Sequence, residues 1–407
     1  MPRPRVITSL DLGTGSIKIL CASRNQEEKD FDVLGRSEEA SFGIRKGVIV
    51  DPAKVSEIIS SLVEKTEEEA DKRIDGVYAS IEGGHISCVS SRGLVSVSRA
   101  DRKISEEDVD RVKEAAKTFS LPSNKEIIDI FPREYIVDGV EGVKEPVGMD
   151  GVRLEADVLI LCCFSPYLKN TRQAIFNSDL RDCRLLPAPL ASAKAVLTPR
   201  EKELGVVVLD IGAGTTGMSV FEEGGLIDVA IFPVGSAHIT NDIAVCLKTD
   251  IDSAEKIKLE FGSCKSSGHS KKAAKTEKKI KIEGEEPLVF SRKLLAEIIE
   301  ARASEIFDLA SKELKRVSKK GLLPAGIVLT GGGAKLPGIR DLAKKELKLP
   351  CRIGVPKNFP SLPEDPSLAT VCGLIEYGAE MEEGGPSSNF GRGFGEKIKG
   401  LFKAFVP

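Results

Sequence analysis

The sequence of 407 residues contains no tryptophan, has only 5% aromatic residues and has no long apolar run. The scarcity of aromatic rings argues against a carbohydrate-binding or base-stacking surface. The longest strongly apolar run, residues 158–164, is far shorter than the ~18 residues that a membrane-spanning helix needs. The first eleven residues do not have the pattern of a signal peptide.

Neither charge sign dominates, because 59 Lys and Arg stand against 62 Asp and Glu, for a formal net charge of −3. This excludes a globally basic nucleic-acid binder and leaves only local charged patches to consider. The nine cysteines show neither a CxxC pair nor a histidine at zinc-ligand spacing. We therefore expect reduced cysteines and a cytoplasmic compartment.

The length predicts two to four domains at about 150 residues each. Apolar residues at 41% are enough to build real cores, which excludes global disorder. Strands are predicted at residues 6–12, 77–81, 206–210 and 327–329, and helices at 52–69, 292–317 and 367–376. Short strands and one charged helix between residues 83 and 164 predict a small α+β module inserted into the first domain.

Three glycine-rich turns each follow an apolar strand, at residues 11–15, 210–216 and 330–334. Glycines allow backbone N–H groups to approach phosphate oxygens, and hydroxyl side chains add donors. Asp11 and Asp210, which begin the first two turns, could hold the waters around Mg²⁺. The P-loop pattern GxxxxGK[ST] is absent. The candidate ligands of a phosphate compound are Asp11, Gly13, Thr14, Gly15, Ser16, Lys18, Asp210, Gly212, Ala213, Gly214, Thr215, Thr216, Gly331, Gly332, Gly333 and Lys335.

In this order the turns resemble the two phosphate loops and the adenosine motif of the actin, hexokinase and Hsp70 ATPase superfamily. Residues 190–195 and 369–373 resemble its two connecting helices. The resemblance implies an α/β fold of two lobes, each built on a mixed five-stranded sheet, with ATP and Mg²⁺ in the cleft between them. It also implies that Glu255 and Lys258, on a helix at residues 253–261, contact ribose and adenine.

Within that superfamily the chain resembles the FtsA family of bacterial cell-division proteins. The stretches that carry this resemblance are GIRKG at residues 43–47, HISC at 85–88, PREY at 132–135 and EPVGMDGVRL at 145–154. It implies self-association into actin-like filaments, tethering of the tubulin-like protein FtsZ at the division septum, and recruitment of later division proteins.

The resemblance also implies a division of the chain into six units. The core of the first lobe would combine residues 5–83, 165–200 and 365–381, with residues 84–164 as the inserted subdomain. The second lobe would consist of one subdomain formed by residues 201–236 and 322–364 and a second subdomain at 237–321. A flexible linker at 382–393, rich in glycine and serine, would lead to a C-terminal helix at 394–407.

One departure from the superfamily concerns hydrolysis. Where Hsp70 and the bacterial actin MreB carry a carboxylate at the start of the first connecting helix, this chain has Ala188. General-base assistance is typically worth ~10²–10⁴-fold in rate. We therefore expect ATP to be bound and to be hydrolysed slowly at best.

The C-terminal segment has the pattern of a helix that lies in a membrane interface. At 100° per residue its apolar side chains fall within a ~100° arc, and its lysines lie outside that arc on both sides. The alternative is a helix docked on the protein's own core, which the preceding Gly/Ser linker argues against. The candidate membrane residues are Phe394, Ile398, Leu401, Phe402 and Phe405, with Lys397, Lys399 and Lys403 toward anionic lipid.

The predicted helix at residues 292–317 resembles, around Arg302, the FtsA surface that receives the C-terminal tail of FtsZ. Arg302 is the main candidate for that contact, and Lys293 is a weaker one. The alternative for both is a salt bridge on the helix surface. His85 and His238 are predicted to be structural, and the Lys-rich segment at residues 262–287 to be a solvated loop.

Two other functions remain open on the sequence. A small-molecule kinase of the same superfamily would need an Asp to deprotonate its substrate, and none is evident beyond those of the phosphate loops. A PilM-like ATP-binding adaptor of a membrane machine would not be expected to combine an amphipathic C-terminal helix with a Lys-rich loop.

Overall fold

The computed structural model describes residues 5–24, 30–118, 121–264, 290–317 and 323–383. The predicted C-terminal helix, most of the predicted linker and most of the Lys-rich segment lie outside the described residues. In the described ranges no helix is both long enough and apolar enough to cross a lipid bilayer.

The described elements alternate strands and helices in the manner of an α/β chain. The strands are β1 (Val6–Leu12), β2 (Ser16–Arg24), β3 (Phe31–Ala40), β4 (Ile44–Arg45), β5 (Val48–Ile49), β6 (Gly76–Ile81), β7 (Ser87–Ser96), β8 (Lys125–Val137), β9 (Val140–Val143), β10 (Arg153–Phe164), β11 (Asp182–Pro187), β12 (Val206–Ile211), β13 (Thr216–Glu222), β14 (Gly225–Phe232), β15 (Gly326–Thr330) and β16 (Cys351–Ile353). The helices are α1 (Pro52–Ala70), α2 (Glu106–Ala116), α3 (Ser165–Phe176), α4 (Ala188–Val196), α5 (Pro199–Leu204), α6 (Ser236–Leu247), α7 (Ile251–Phe261), α8 (Arg292–Val317), α9 (Ile339–Leu347) and α10 (Ala369–Glu383).

Two five-stranded sheets form the centres of the two lobes. The first has the order β11-β6-β1-β2-β3 and the second β14-β13-β12-β15-β16. Both mix antiparallel hairpins with parallel neighbours, since β1 pairs antiparallel with β2 and parallel with β6, and β12 does the same with β13 and β15. The predicted duplicated architecture of two mixed five-stranded sheets is therefore confirmed.

Local sequence explains why α1 forms and where it lies. Asp51 caps its N-terminus by accepting a hydrogen bond from the backbone N–H of Lys54, and Pro52 occupies the first turn. Val55, Ile59 and Leu62 recur at helical spacing and are fully buried in one core with strands β1, β2 and β6.

Helices α4 and α10 cross between the two sheets and belong to a core that also takes residues from both. At the crossing, a Cβ on Gly373 would lie 1.7 Å from the backbone oxygen of Ala191. Only glycine permits this approach. The helix predicted to end at residue 376 continues to Glu383, so Glu382 and Glu383 belong to α10 although the linker was predicted to begin there. Its predicted start at Ser367 is also wrong, because a short 3-10 turn (Pro366–Leu368) precedes α10.

The inserted module is a four-stranded antiparallel sheet, in the order β7-β10-β8-β9, with α2 packed on it. Its strands also reach the second lobe at the edge strand β14. Arg133 donates a hydrogen bond to the backbone oxygen of Ile227, and the Cys88 thiol donates to that of Val229 at 3.2 Å. The insert therefore covers an otherwise open sheet edge.

We expect Glu376, on α10, to make stability depend on pH. Asn358 donates a 2.9 Å hydrogen bond to its carboxylate, while burial raises the pKa of Glu376 to about 7. A carboxyl that holds its proton more tightly when folded stabilises the fold most below its unfolded pKa of ~4.3 and loses that contribution as the pH rises toward 7. Glu376→Gln, which cannot ionise, should therefore raise the melting temperature at pH 8 and much less at pH 5.

Thermal denaturation of both proteins at the two pH values checks this expectation. Glu68→Gln, an exposed position on α1, is the matched control and should change neither value. Equal effects of Glu376→Gln at pH 5 and pH 8 would contradict the assignment.

Candidate functional site

The first two glycine turns face each other from opposite lobes. Each joins two antiparallel strands through four residues, because Leu12 pairs with Ile17 and Ile211 pairs with Thr216. A Cβ on Gly214 would lie 2.6 Å from the Thr14 side chain, and one on Gly15 would lie 2.9 Å from the Cβ of Ala213. The lobes therefore touch at the tips of these turns, and the missing side chains make the contact possible.

Each turn is held from behind by backbone hydrogen bonds. The N–H of Gly47 donates to the Thr14 hydroxyl at 2.9 Å, and that of Ser41 donates to the Gly15 carbonyl at 3.2 Å. In the second lobe the first N–H groups of α6 donate to the carbonyls of Gly212 (2.8 Å) and Ala213 (2.9 Å). The turns are consequently preorganised on rigid elements.

Asp11 is the second-last residue of β1, and its buried carboxyl lies beside Lys18. The Ser80 hydroxyl donates to it at 2.9 Å, and the Lys18 ammonium lies 4.0 Å away. Burial raises the pKa of Asp11 above its usual value, and Lys18 opposes that rise. The Lys18 ammonium also lies 3.7 Å from the carboxylate of Glu38. Lys18 thus places a positive charge beside Asp11.

Asp210 holds the equivalent position in the second lobe. Burial, helped by the charge of Asp11, raises the pKa of Asp210 to about 6. Thr370 of α10 donates to its carboxylate at 3.0 Å. Ser192 of α4 lies near that carboxylate, but its hydroxyl donates to the backbone oxygen of Pro189 at 3.3 Å. Both connecting helices thus place a hydroxyl beside one acidic side chain of the site.

The third turn packs directly on the second. A Cβ on Gly331 would lie 2.3 Å from the Asp210 carboxylate, and one on Gly333 would lie 2.4 Å from the side chain of Ile211. Gly332 between them has open space around it. Lys335, which follows, forms a 2.8 Å ion pair with Asp365. All three predicted turns therefore meet around Asp210.

The hydroxyl groups of the second turn differ in what they bind. Thr216 donates to the backbone oxygen of Val234 at 2.8 Å. Thr215 is fully buried, and its hydroxyl makes no hydrogen bond of regular geometry with the part of the chain that the structure describes. A buried hydroxyl without a partner is costly. An incoming oxygen atom would satisfy it.

The donors and acids present fit a phosphate compound with a hydrated cation. Two turns supply backbone N–H groups, Lys18 supplies charge, and Asp11 and Asp210 face the same space from opposite lobes. Among the described residues no group of three or more His, Cys, Asp or Glu is arranged to hold a metal ion. Two carboxylates suit Mg²⁺ that keeps most of its waters.

Glu255 and Lys258 lie on α7 and face α6. The Lys258 ammonium contacts the Glu255 carboxylate at 2.7 Å and the Thr240 hydroxyl at 2.9 Å, and it lies 3.4 Å from the backbone oxygen of Ser236. This network connects α7 to the helix whose N-terminus holds the second turn. Direct contact of either side chain with a ligand stays a prediction.

Glu82 lies near Asp11 and Asp210 and was not predicted from the sequence. It follows β6, the parallel neighbour of β1. Burial raises the pKa of Glu82 to about 8, and the charges of Asp210 and Asp11 add to the rise. Thr215 and Lys18 lie close enough to oppose it. A lone carboxylate directly after an apolar strand was the available signal, because Asp11 and Asp210 also lie where such strands end.

The two histidines have structural surroundings. The ring of His85 packs edge-on against Tyr167 with 4.8 Å between centroids, and burial lowers the pKa of His85 to about 4. The Nδ1 atom of His238 accepts a 3.1 Å hydrogen bond from the N–H of Gly235. Both observations agree with the predicted structural roles.

A separate groove of about 460 Å³ lies between α6 and α8. Arg302 is part of its wall and forms two hydrogen bonds with Asp242, at 2.7 and 2.9 Å, and a further one with Glu305. Lys293 is more exposed and lies 3.6 Å from Glu297. The structure thus places Arg302 in a groove and Lys293 in an exposed ion pair near the start of the same helix.

Comparison with known families gives two matches that follow the fold. The model described as "Cell division protein FtsA" matches residues 207–373, and the one described as "SHS2 domain inserted in FTSA" matches residues 83–162. The cell division protein FtsA of Pseudomonas aeruginosa is 34% identical over 388 residues, which cover 94% of this chain and 91% of that protein.

Solved structures with the same fold are more distant in sequence. The PilM-PilN type IV pilus biogenesis complex aligns with a TM-score of 0.65 and 18% identity, over 92% of this chain and 98% of that chain. MreB5 of Spiroplasma citri bound to ADP aligns with a TM-score of 0.57 and 15% identity, over 94% and 99%. These likenesses confirm the predicted actin-like fold.

Proposed function

The chain belongs to the FtsA family of cell-division proteins, and we propose that it binds ATP, polymerises on the membrane and tethers FtsZ there. The observation that carries this proposal is the contact of two glycine turns from opposite lobes beside the buried acids Asp11 and Asp210. In this proposal the fold is a scaffold whose shape is fixed by nucleotide.

The phosphates of ATP would lie between the turns at residues 13–16 and 212–215. Backbone N–H groups, the Thr215 hydroxyl and Lys18 would bind them, while Asp11 and Asp210 would hold Mg²⁺ through its waters. Because the ligand would contact both turns, it would favour one relative orientation of the lobes. A filament of identical subunits needs such a fixed orientation.

By fixing the orientation of the lobes, ATP would have a structural role that does not require fast hydrolysis. Gly331, Gly332, Gly333 and Lys335 would lie next to the nucleoside, since the third turn packs on Asp210. Mg²⁺ would neutralise phosphate charge beside the two aspartates. The chain's own residues would position the phosphates.

We expect Gly214→Ala to weaken ATP binding by at least about tenfold, because its Cβ would push Thr14 away and open the two turns. Binding of a fluorescent ATP analogue with Mg²⁺ measures this change. Gly225→Ala is the matched control, because the nearest atom to its Cβ would be 3.6 Å away. Equal affinity of all three proteins would contradict the proposed site.

The tail of FtsZ is proposed to bind the groove between α6 and α8. Asp242 holds the Arg302 guanidinium from one side and leaves it one-quarter exposed. Ile298 and Ala301 of α8 line the same groove. A cation held in place near apolar surface suits a peptide that carries both a carboxylate and apolar side chains.

Arg302→Glu should lower the affinity for an FtsZ tail peptide by at least about tenfold, since it replaces the cation with a third acid beside Asp242 and Glu305. Fluorescence anisotropy with a labelled peptide measures this. Lys344→Glu makes the same charge reversal at an exposed position of α9 and should leave affinity unchanged. Reversal at Lys293 should have a smaller effect than at Arg302. An unchanged affinity for Arg302→Glu would remove the assignment.

The C-terminal segment is proposed to attach the protein to the cytoplasmic face of the membrane. The proposal rests on the sequence pattern of residues 394–407. One short helix buries little apolar area, so a single tether binds weakly. A filament would align many tethers and gain avidity.

Sedimentation with anionic vesicles tests the tether. With ATP and Mg²⁺ present, the full chain should pellet with lipid, whereas a chain ending at Glu383 should stay in the supernatant. Phe402→Glu in the full chain should behave like the truncated chain, because it places a charge on the apolar face. Identical distribution of all three proteins would be incompatible with a C-terminal tether.

Recruitment of later division proteins is proposed for the inserted module. Exposed apolar side chains on it, Val140, Val147 and Val152, are half or more accessible.

The PilM-like alternative is less favoured, because identity to FtsA is 34% against 18% to the PilM-PilN complex.

A further inference from the structure

Glu82 and Ala188 lie side by side at one edge of the first sheet. Strands β6 and β11 are parallel neighbours, and Ile81 pairs with Pro187. Glu82 is the first residue after β6, and Ala188, the first residue of α4, directly follows β11, so the two positions lie at adjacent strand ends. Position 188 is alanine and has no carboxylate, whereas the end of the neighbouring strand β6 is followed by the carboxylate of Glu82.

The surroundings of Glu82 place it in the phosphate site. The Gly47 N–H bonds the Thr14 hydroxyl, and a Cβ on Gly47 would lie only 3.0 Å from the Cβ of Glu82. Glu82 thus lies directly behind the tip of the first turn. Its carboxyl is also close to the hydroxyl of Thr215 in the second turn.

The charges of Asp210 and Asp11 add to the rise in the pKa of Glu82, so the three carboxyls lie near one another. The two aspartates have other partners, which are Ser80 and Lys18 for Asp11 and Thr370 for Asp210. Glu82 adds an acceptor beyond those that would hold the hydrated cation. An acceptor next to a bound terminal phosphate can hold a water molecule in line with it.

We propose that Glu82 orients the water that attacks the terminal phosphate of bound ATP, from the strand end beside the one where Ala188 has no carboxylate. The inference rests on the proposed ATP site. It revises the expectation of slow hydrolysis, which considered position 188 alone.

The reaction balances without a further reagent. The water oxygen forms a bond to the γ-phosphorus, and the bond from that phosphorus to the oxygen bridging to ADP breaks. The bonding electron pair leaves with ADP. Both hydrogens of the water end on the released inorganic phosphate. Glu82 accepts a hydrogen bond from the water and sets the direction of its lone pair.

Glu82→Gln tests this role through two readouts. At pH 9, above the pKa of about 8 that burial gives Glu82, phosphate release from saturating Mg·ATP should fall by at least about tenfold, because an amide is a weaker acceptor than a carboxylate and can donate instead. At the same pH the affinity for ATP should rise about threefold to tenfold relative to that for ADP, since a negative charge beside the γ-phosphate is removed. Fluorescent-nucleotide competition measures both affinities.

A double variant, Glu82→Ala with Ala188→Glu, separates catalysis from folding. It moves the carboxylate to the adjacent strand end and should recover most of the phosphate release that Glu82→Ala loses. Glu68→Gln is the control for the isosteric change at an exposed site. An unchanged rate in Glu82→Gln, or equal shifts in ATP and ADP affinity, would overturn the inference.

The outcomes also separate this inference from the proposed function. ATP binding by the unaltered protein without measurable hydrolysis would overturn the role of Glu82 and leave the ATP site standing. Failure of the unaltered protein to bind ATP would overturn both.

Discussion

The contact between Thr14 and Gly214 is the constraint on which the arrangement depends. It joins the tips of two turns that belong to different sheets, and it exists because position 214 has no side chain. Any ligand held by both turns must fix the lobes relative to each other. Under the proposed function, phosphate binding and the relative orientation of the lobes would therefore depend on each other.

The two connecting helices extend that constraint into the core. Helices α4 and α10 approach to backbone contact at Gly373, and Thr370 of α10 donates a hydroxyl hydrogen bond to Asp210. Asp210 is therefore linked to the helices that cross between the two sheets. Under the proposed function this link would be a physical route from nucleotide state to lobe orientation, and from there to the contacts between subunits of a filament.

The sequence was informative where the signal is local. The strand and turn pattern around Asp11 and Asp210 predicted two equivalent hairpins, since glycine spacing and apolar runs are read within a few residues. Partners distant in the chain could not be found this way. Glu82 enters the site because β6 lies between β1 and β11, and Arg302 is held by Asp242, 60 residues earlier. The extension of α10 to Glu383 was missed because charged residues in its last turn resemble a linker.

The central claim is that one ATP molecule bridges both turns. Hydrogen exchange of the backbone amides, measured with and without Mg·ATP, tests it most directly. The account predicts that residues 13–16 and 212–215 become protected together at the same ATP concentration. Protection of one turn alone, or of neither, would contradict it.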